Sequence, residues 1–146
     1  TLIGLGMTEL ADTPEPSIGD FVCFLVEHDV FVAAEKRSGE AVGFLAAHAL
    51  PDLYWISELS VDPEHGRRGI GRALLSAALE RARWFHHRAV GLTADAVIPV
   101  GAPFYHRSGF VRLPDADCPP WLRRRKRAET PPGSSETSRC VMIRRL

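Results

Sequence analysis

Two glycines and three arginines stand where a strand gives way to a helix, in the run Arg67-Arg68-Gly69-Ile70-Gly71-Arg72. The first N–H groups of a helix lack internal partners, and the helix dipole adds partial positive charge there. Such an end suits an anionic phosphate. Gly69 and Gly71 remove Cβ atoms that would hold a diphosphate off the backbone. Arg67, Arg68 and Arg72 can add charge-assisted hydrogen bonds. Two better-known phosphate loops do not fit. A Walker loop needs Gly-Lys-Ser/Thr and no Lys stands here; a dinucleotide fingerprint needs a third Gly or Ala where Leu74 stands. Spacing alone also allows a plainer reading, a tight turn capped by two glycines ahead of a surface helix.

The elements that must position this loop are legible around it. Residues 1–19 hold Pro14, Pro16 and Gly19 and read as an irregular lead-in, and residues 20–28 read as a short helix. Three apolar, β-branched runs follow at 29–35, 41–50 and 53–61, separated by short turns, which predicts an antiparallel meander. From Ile70 the period becomes helical. Ile70, Leu74, Leu75, Ala78, Leu79 and Ala82 share one face, and Arg72, Ser76, Glu80 and Arg83 lie opposite. Residues 90–93 read as a buried strand, so a strand, a crossover helix and a strand predict local parallel pairing beside the meander. Residues 99–107 read as a loop and short helix, 109–111 as a return strand, 115–138 as one long loop, and 140–143 as a last strand.

Bulk properties narrow the function classes. At 146 residues the chain reads as one domain, 1–146. Eighteen basic residues balance eighteen acidic ones, so no global field draws the protein to nucleic acid or anionic lipid. No apolar run approaches the ~20 residues of a membrane span, and the start lacks the basic region of a secretion signal. Cys23, Cys118 and Cys140 form no C-x-x-C pair, so neither a disulfide framework nor a zinc site is expected. The expected partners exclude nucleic acid, membrane and metal. The expected compartment is a reducing cytoplasm.

Val61-Asp62-Pro63 followed by Gly69-Ile70-Gly71 resembles motif A of the GNAT superfamily of N-acetyltransferases, Q/R-x-x-G-x-G/A after a strand with a Val-x-Pro exit. In this chain the Q/R position falls on Gly66, and Arg67 stands one place later. Ala102-Pro103-Phe104-Tyr105-His106-Arg107-Ser108-Gly109-Phe110 is similar to motif B of the same superfamily. A branch that carries Pro-Trp-Asn-x-Pro before this Tyr has its Asn replaced here, in Pro99-Val100-Gly101-Ala102-Pro103. The resemblance covers roughly residues 30–111. It implies an α/β (α+β) fold, a mixed, mostly antiparallel sheet flanked by helices, with strands four and five splayed apart.

The resemblance also implies a reaction, acetyl transfer from acetyl-CoA as cosubstrate to a primary amine. Tyr105 would protonate the leaving thiolate; a phenol with a pKa near ~10 suits that task. Without the resemblance Tyr105 reads as a core-edge aromatic. Glu58 becomes the candidate base, against a plain reading as a strand carboxylate. Leu59, Ser60 and Val61 would offer backbone amides to the pantetheine, and Arg67, Arg68, Gly69, Ile70, Gly71 and Arg72 would hold the diphosphate. His48, on the preceding strand, has a pKa suited to taking an amine proton, but reads first as a satisfied structural histidine. The run Arg123-Arg124-Arg125-Lys126-Arg127 reads as a solvated loop, given the balanced charge, rather than as an anion site. The leading function is acetylation of a small-molecule amine. The alternatives are acetylation of a protein N-terminus or lysine, and a non-catalytic acetyl-CoA-binding module. A homodimer is expected, because GNAT domains often pair through sheet edges or terminal strands.

Overall fold

The computed structural model describes residues 3–4 (backbone), 17–66, 68–135 and 138–146. The strands are β1 (Ile3–Gly4), β2 (Asp29–Ala34), β3 (Ala41–Leu50), β4 (Leu53–Val61), β5 (Ala89–Asp95), β6 (Val111–Leu113) and β7 (Arg139–Arg145). The helices are α1 (Ile18–Glu27), α2 (Ile70–Trp84), α3 (Ala102–Arg107) and α4 (Pro120–Glu129). The strands form one sheet in the order β2-β3-β4-β5-β7-β6, with β1 added against β4. All neighbouring pairs are antiparallel except β4 and β5. This is the mixed, mostly antiparallel sheet that the resemblance implied.

The parallel pair is short. Only Tyr54↔Val90 and Trp55↔Gly91 are in register, and the two strands then part. One flank of the sheet, carrying Leu45, Ile56, Leu59, Leu92 and Met142, packs under α2 and α3 into the main core. The buried positions of α2 are Leu74, Leu75, Ala78, Leu79 and Ala82, the face its period predicts. The other flank has a smaller core in which Leu53, Trp55 and Val141 meet Cys118 and Leu122. Helix α1 lies on that second flank, and none of its residues is buried.

Four expectations are corrected here. The stretch 115–138 is not one loop, because it contains α4. Pro119 and Pro120 start that helix where a missing N–H costs nothing, and Arg and Lys are good helix formers. The unbroken basic run hid a helical face in which Leu122 and Lys126 turn inward. Lys126 is buried and donates to both oxygens of Asp115, at 3.0 and 3.2 Å. The basic run is thus partly structural rather than a solvated loop. The lead-in also contributes a strand, since Ile3 and Gly4 pair with Val61 and Ser60. The predicted return strand begins later than expected, at Val111, because Gly109 takes φ +89° and ends the turn after α3.

Candidate active site

The loop ahead of α2 is pinned before its glycines begin. Asp62 Oδ1 accepts from the Glu64 N–H at 3.0 Å, closing a single helical turn at Pro63–His65. His65 then lies between two carboxylates, Nδ1 3.2 Å from Asp62 Oδ2 and Nε2 3.1 Å from Glu35 Oε2. Glu35, and behind it Asp62, hold the His65 imidazole above its ordinary pKa, so the protonated ring staples the loop to the end of β2. The sequence offered no sign of this role, because Glu35 and His65 are thirty residues apart.

Gly69 caps α2 in the left-handed region at φ 75°, a conformation glycine adopts without strain, and no side chain caps the helix start. The first internal bond runs from the Ala73 N–H to the Gly69 carbonyl at 2.9 Å. The N–H groups of Ile70, Gly71 and Arg72 therefore precede the helical ladder. Arg68 and Arg72 are exposed at this end; Arg67 lies outside the described residues. From Arg72 a cleft of about 410 Å³ runs between α2 and α3, lined by Leu75, Leu79, Arg107 and Arg144 among others. Arg144 Nη1 donates to the Ser108 carbonyl at 2.6 Å and so holds the end of α3 against β7.

Where β4 and β5 part, β4 carries a β-bulge. Ala46 faces Glu58 and Ala47 faces Ile56, which leaves Ser57 as the extra residue. The bulge turns both Ser57 and Glu58 toward α1. Asp62 donates its N–H to the Val42 carbonyl at 2.8 Å. Peptide groups alternate along a strand, so Leu59 and Val61 direct theirs away from β3, into the gap. The gap is only partly open. Among the described residues, β1 lies against Ser60 and Val61, and Leu59 pairs with neither β1 nor β5. Of the three residues expected to offer amides, Val61 faces β1 and Ser60 turns its N–H toward β3. An unpaired strand edge is a template for any backbone within reach, and here that backbone is the chain's own.

Glu58 is part-buried, and burial raises its pKa; a hydrogen bond from the Ser60 hydroxyl at 2.8 Å offsets part of that rise. Tyr105 is 2% exposed and packs edge-on against Phe104 and Phe110. Burial raises its phenol pKa, which the nearby Arg139 opposes and Glu58 reinforces. No direct hydrogen bond between the two residues occurs among the described residues.

His48 is drawn elsewhere. Its Nε2 accepts from Arg125 Nη2 at 2.8 Å; a guanidinium only donates, so the ring's proton sits on Nδ1. That N–H donates to Ser57 Oγ at 3.2 Å, Ser57 donates to His28 Nε2 at 3.2 Å, and His28 Nδ1 donates to the Phe24 carbonyl at 2.8 Å. Burial, then Arg125, then His28 push the His48 pKa down to about 4. With both nitrogens committed, His48 is a bracket joining α1, β3, β4 and α4, the satisfied structural histidine that its place on the strand favoured over a base. The chain continues through Arg125 to Glu129, whose Oε1 accepts from Thr93 at 3.3 Å. Burial holds the Glu129 carboxyl up at about 7 despite the adjacent guanidinium of Arg125. Glu129 and Arg125 went unnoticed in the sequence because their partners lie on distant strands.

No group of three or more His, Cys, Asp or Glu side chains among the described residues is placed to hold a metal ion. No described helix is long and apolar enough to cross a membrane. Compared with known proteins, residues 26–112 match the family model of the acetyltransferase (GNAT) domain. An uncharacterized N-acetyltransferase of Methanocaldococcus jannaschii is 35% identical over 95 residues, 58% of this chain and 40% of that protein. This chain thus spans well under two thirds of that relative. The N-acetylglutamate synthase of Neisseria gonorrhoeae, solved with coenzyme A and N-acetyl-glutamate, superposes with a TM-score of 0.70 at 19% identity, over 90% of this chain and 28% of that one. The ribosomal-protein-S18-alanine N-acetyltransferase of Escherichia coli gives a TM-score of 0.66 at 17% identity, over 100% of this chain and 93% of that one. At such identities these two structures speak for the fold, whereas the family model spans more than half of the chain: the protein belongs to the GNAT acetyltransferase family.

Proposed function

We propose that the chain transfers the acetyl group of acetyl-CoA directly to a primary amine, with a small molecule as acceptor. Three features together support this reading: the start of α2 at Gly69 without a side-chain cap, the parting of β4 from β5, and the part-buried Glu58 and buried Tyr105 that the motifs single out. The diphosphate would lie on the amides of Ile70 to Arg72, with Arg68 and Arg72 beside it and Arg67 as a further candidate. Pantetheine would follow the β4 edge, meeting the Leu59 amide first; reaching the Val61 amide requires β1 to give way.

The steps balance as follows. Glu58 takes a proton from the ammonium form of the acceptor, and the rise in its pKa caused by burial makes it a stronger base for that transfer. The neutral nitrogen attacks the thioester carbonyl, a C–N bond forms, and the C–S bond breaks. Tyr105, kept protonated by burial, gives its hydroxyl proton to the departing sulfur; the second proton of the attacking nitrogen, lost as the amide forms, passes through water to restore the tyrosine, and Glu58 releases its own proton to solvent. A fixed backbone donor such as the Leu59 N–H would stabilise charge on the carbonyl oxygen.

Of the fold relatives named above, one was solved with N-acetyl-glutamate and the other is named for an alanine of ribosomal protein S18, so acceptor size is the open variable. A screen of acetyl-CoA turnover over amines, amino acids and peptides, read as released thiol, tests the reading. Binding without turnover would instead make the chain an acetyl-CoA-binding module. A reducing cytoplasm suits the free thiols of Cys23, Cys118 and Cys140. We further propose one domain per chain and pairing into a homodimer, which light scattering at micromolar concentration would test.

A further inference from the structure

A second cavity opens on the other flank of the sheet, under α1, with a volume of about 710 Å³. That lies within the range of small-molecule sites, about 300–1,000 Å³. Phe21, Phe24 and Leu25 of α1 form its roof, Val32 and Phe44 its floor, and Glu58 stands at its wall. Although they face this space, Phe21 is 54% exposed, Leu25 43% and Val32 59%. Helix α1 thus has an apolar inner face and no buried residue. A reciprocal capping box of Ser17 and Asp20 closes its first turn. Its other end is tied to β4 by His28, which stacks on Phe24 at 4.0 Å and bonds to Ser57. A helix anchored at its end over an apolar void leaves surface for a ligand to cover.

Charge in the cavity is one-sided. The lining residues include two carboxylates and, among the described residues, no cation. Asp20 is engaged in the capping box, which leaves Glu58 to meet a ligand. An amine fits at Glu58, whereas a carboxylate would sit without a partner beside a like charge. The neighbouring cavity between α1 and α4 does contain Arg124 and Arg125. There the Arg125 guanidinium is already engaged by His48 and Glu129.

From this we infer that the acceptor is a small primary amine with an apolar body and no carboxylate, an alkylamine or arylalkylamine, its body under α1 and its nitrogen at Glu58. The inference rests on the acetyltransferase reading and adds the acceptor's chemical class.

Steady-state kinetics of the full chain with acetyl-CoA tests it, using n-alkylamines from propyl to hexyl, phenethylamine, spermidine, glutamate, and a peptide with an N-terminal Phe. Each buried methylene should raise kcat/KM about fourfold. Spermidine and glutamate should fall below phenethylamine by roughly 100-fold or more, the worth of a few such methylenes together with an unpaired charge. Leu25→Asp should lower kcat/KM for phenethylamine by about 10- to 100-fold, with the milder Leu25→Ser as a second variant; calorimetric binding of acetyl-CoA confirms that each is folded. A flat alkyl series, or a preference for glutamate or spermidine, overturns the inference and leaves the acetyltransferase reading standing. Turnover of the peptide well above phenethylamine overturns the small-amine assignment. Absence of thiol release with every acceptor removes the inference and the reading together.

Discussion

Ser60 donates its hydroxyl proton to Glu58 Oε1 across 2.8 Å, two residues along the same side of β4. A bond to the charged form of a carboxylate lowers its pKa, while burial raises it, and at Glu58 burial is the larger influence. Ser60→Ala removes only the lowering contribution. If Glu58 is the base, its work requires the ionised form, so the rate falls as pH drops through its pKa. Ser60→Ala should therefore move the acid limb of the kcat/KM profile to higher pH. Glu58→Gln should abolish that limb and lower kcat by about 10²–10⁴-fold. Unchanged pH profiles in both variants would return Glu58 to a structural role.

Tyr105→Phe keeps the ring and its contacts with Phe104 and Phe110. What it loses is the proton destined for the sulfur. The expected result is a fall in kcat toward the lower part of the ~10²–10⁴-fold range, because thiolates leave fairly well unaided. Acetyl-CoA affinity by calorimetry should hardly change. Wild-type kcat, measured where chemistry limits the rate, would leave the residue as packing.

Gly71→Glu puts bulk and negative charge in the first turn of α2, where the diphosphate is proposed to lie. Calorimetry should find acetyl-CoA binding weakened at least tenfold, more than 1.4 kcal/mol. Undiminished affinity would place the phosphates elsewhere.

His48 predicts a dependence of stability on acidity. Its native pKa is lowered to about 4 from 6.5. Between these values the unfolded chain binds more protons than the folded one, so stability falls as the solution is acidified from about pH 6.5 to pH 4. The groups facing the ring are Arg125, Ser57 and His28. In His48→Gln, whose side chain can still accept from Arg125, thermal melts should show a shallower loss over that window. Equal slopes in the two proteins would assign the acid sensitivity to other groups.

Much of the cosubstrate half was legible in the chain itself. A left-handed turn is a local demand that Gly69 meets, and the inward stripe of α2 is a period of 3.6 residues written in Ile70, Leu74, Leu75 and Ala78. The meander from Asp29 to Val61 follows from strand runs separated by short turns. Such features depend on neighbours a few residues apart, and periodicity registers neighbours. Tyr105 was marked through its motif, although its burial against Phe110 was not.

The side proposed for the acceptor was decided by packing. Ser57 looks like any strand residue until the bulge against Ala46 and Ala47 turns it, with Glu58, toward α1. Arg125 reads as one member of a basic run, yet it reaches His48 across 77 residues of chain. Ile3 and Gly4 find the edge of β4 across nearly sixty residues, and only because β5 has parted from it. Local patterns along the chain determine which segments coil or extend. Which side chain faces a cavity, and which charges neutralise one another, depends on long-range contacts that arise only when the sheet closes over its two flanks.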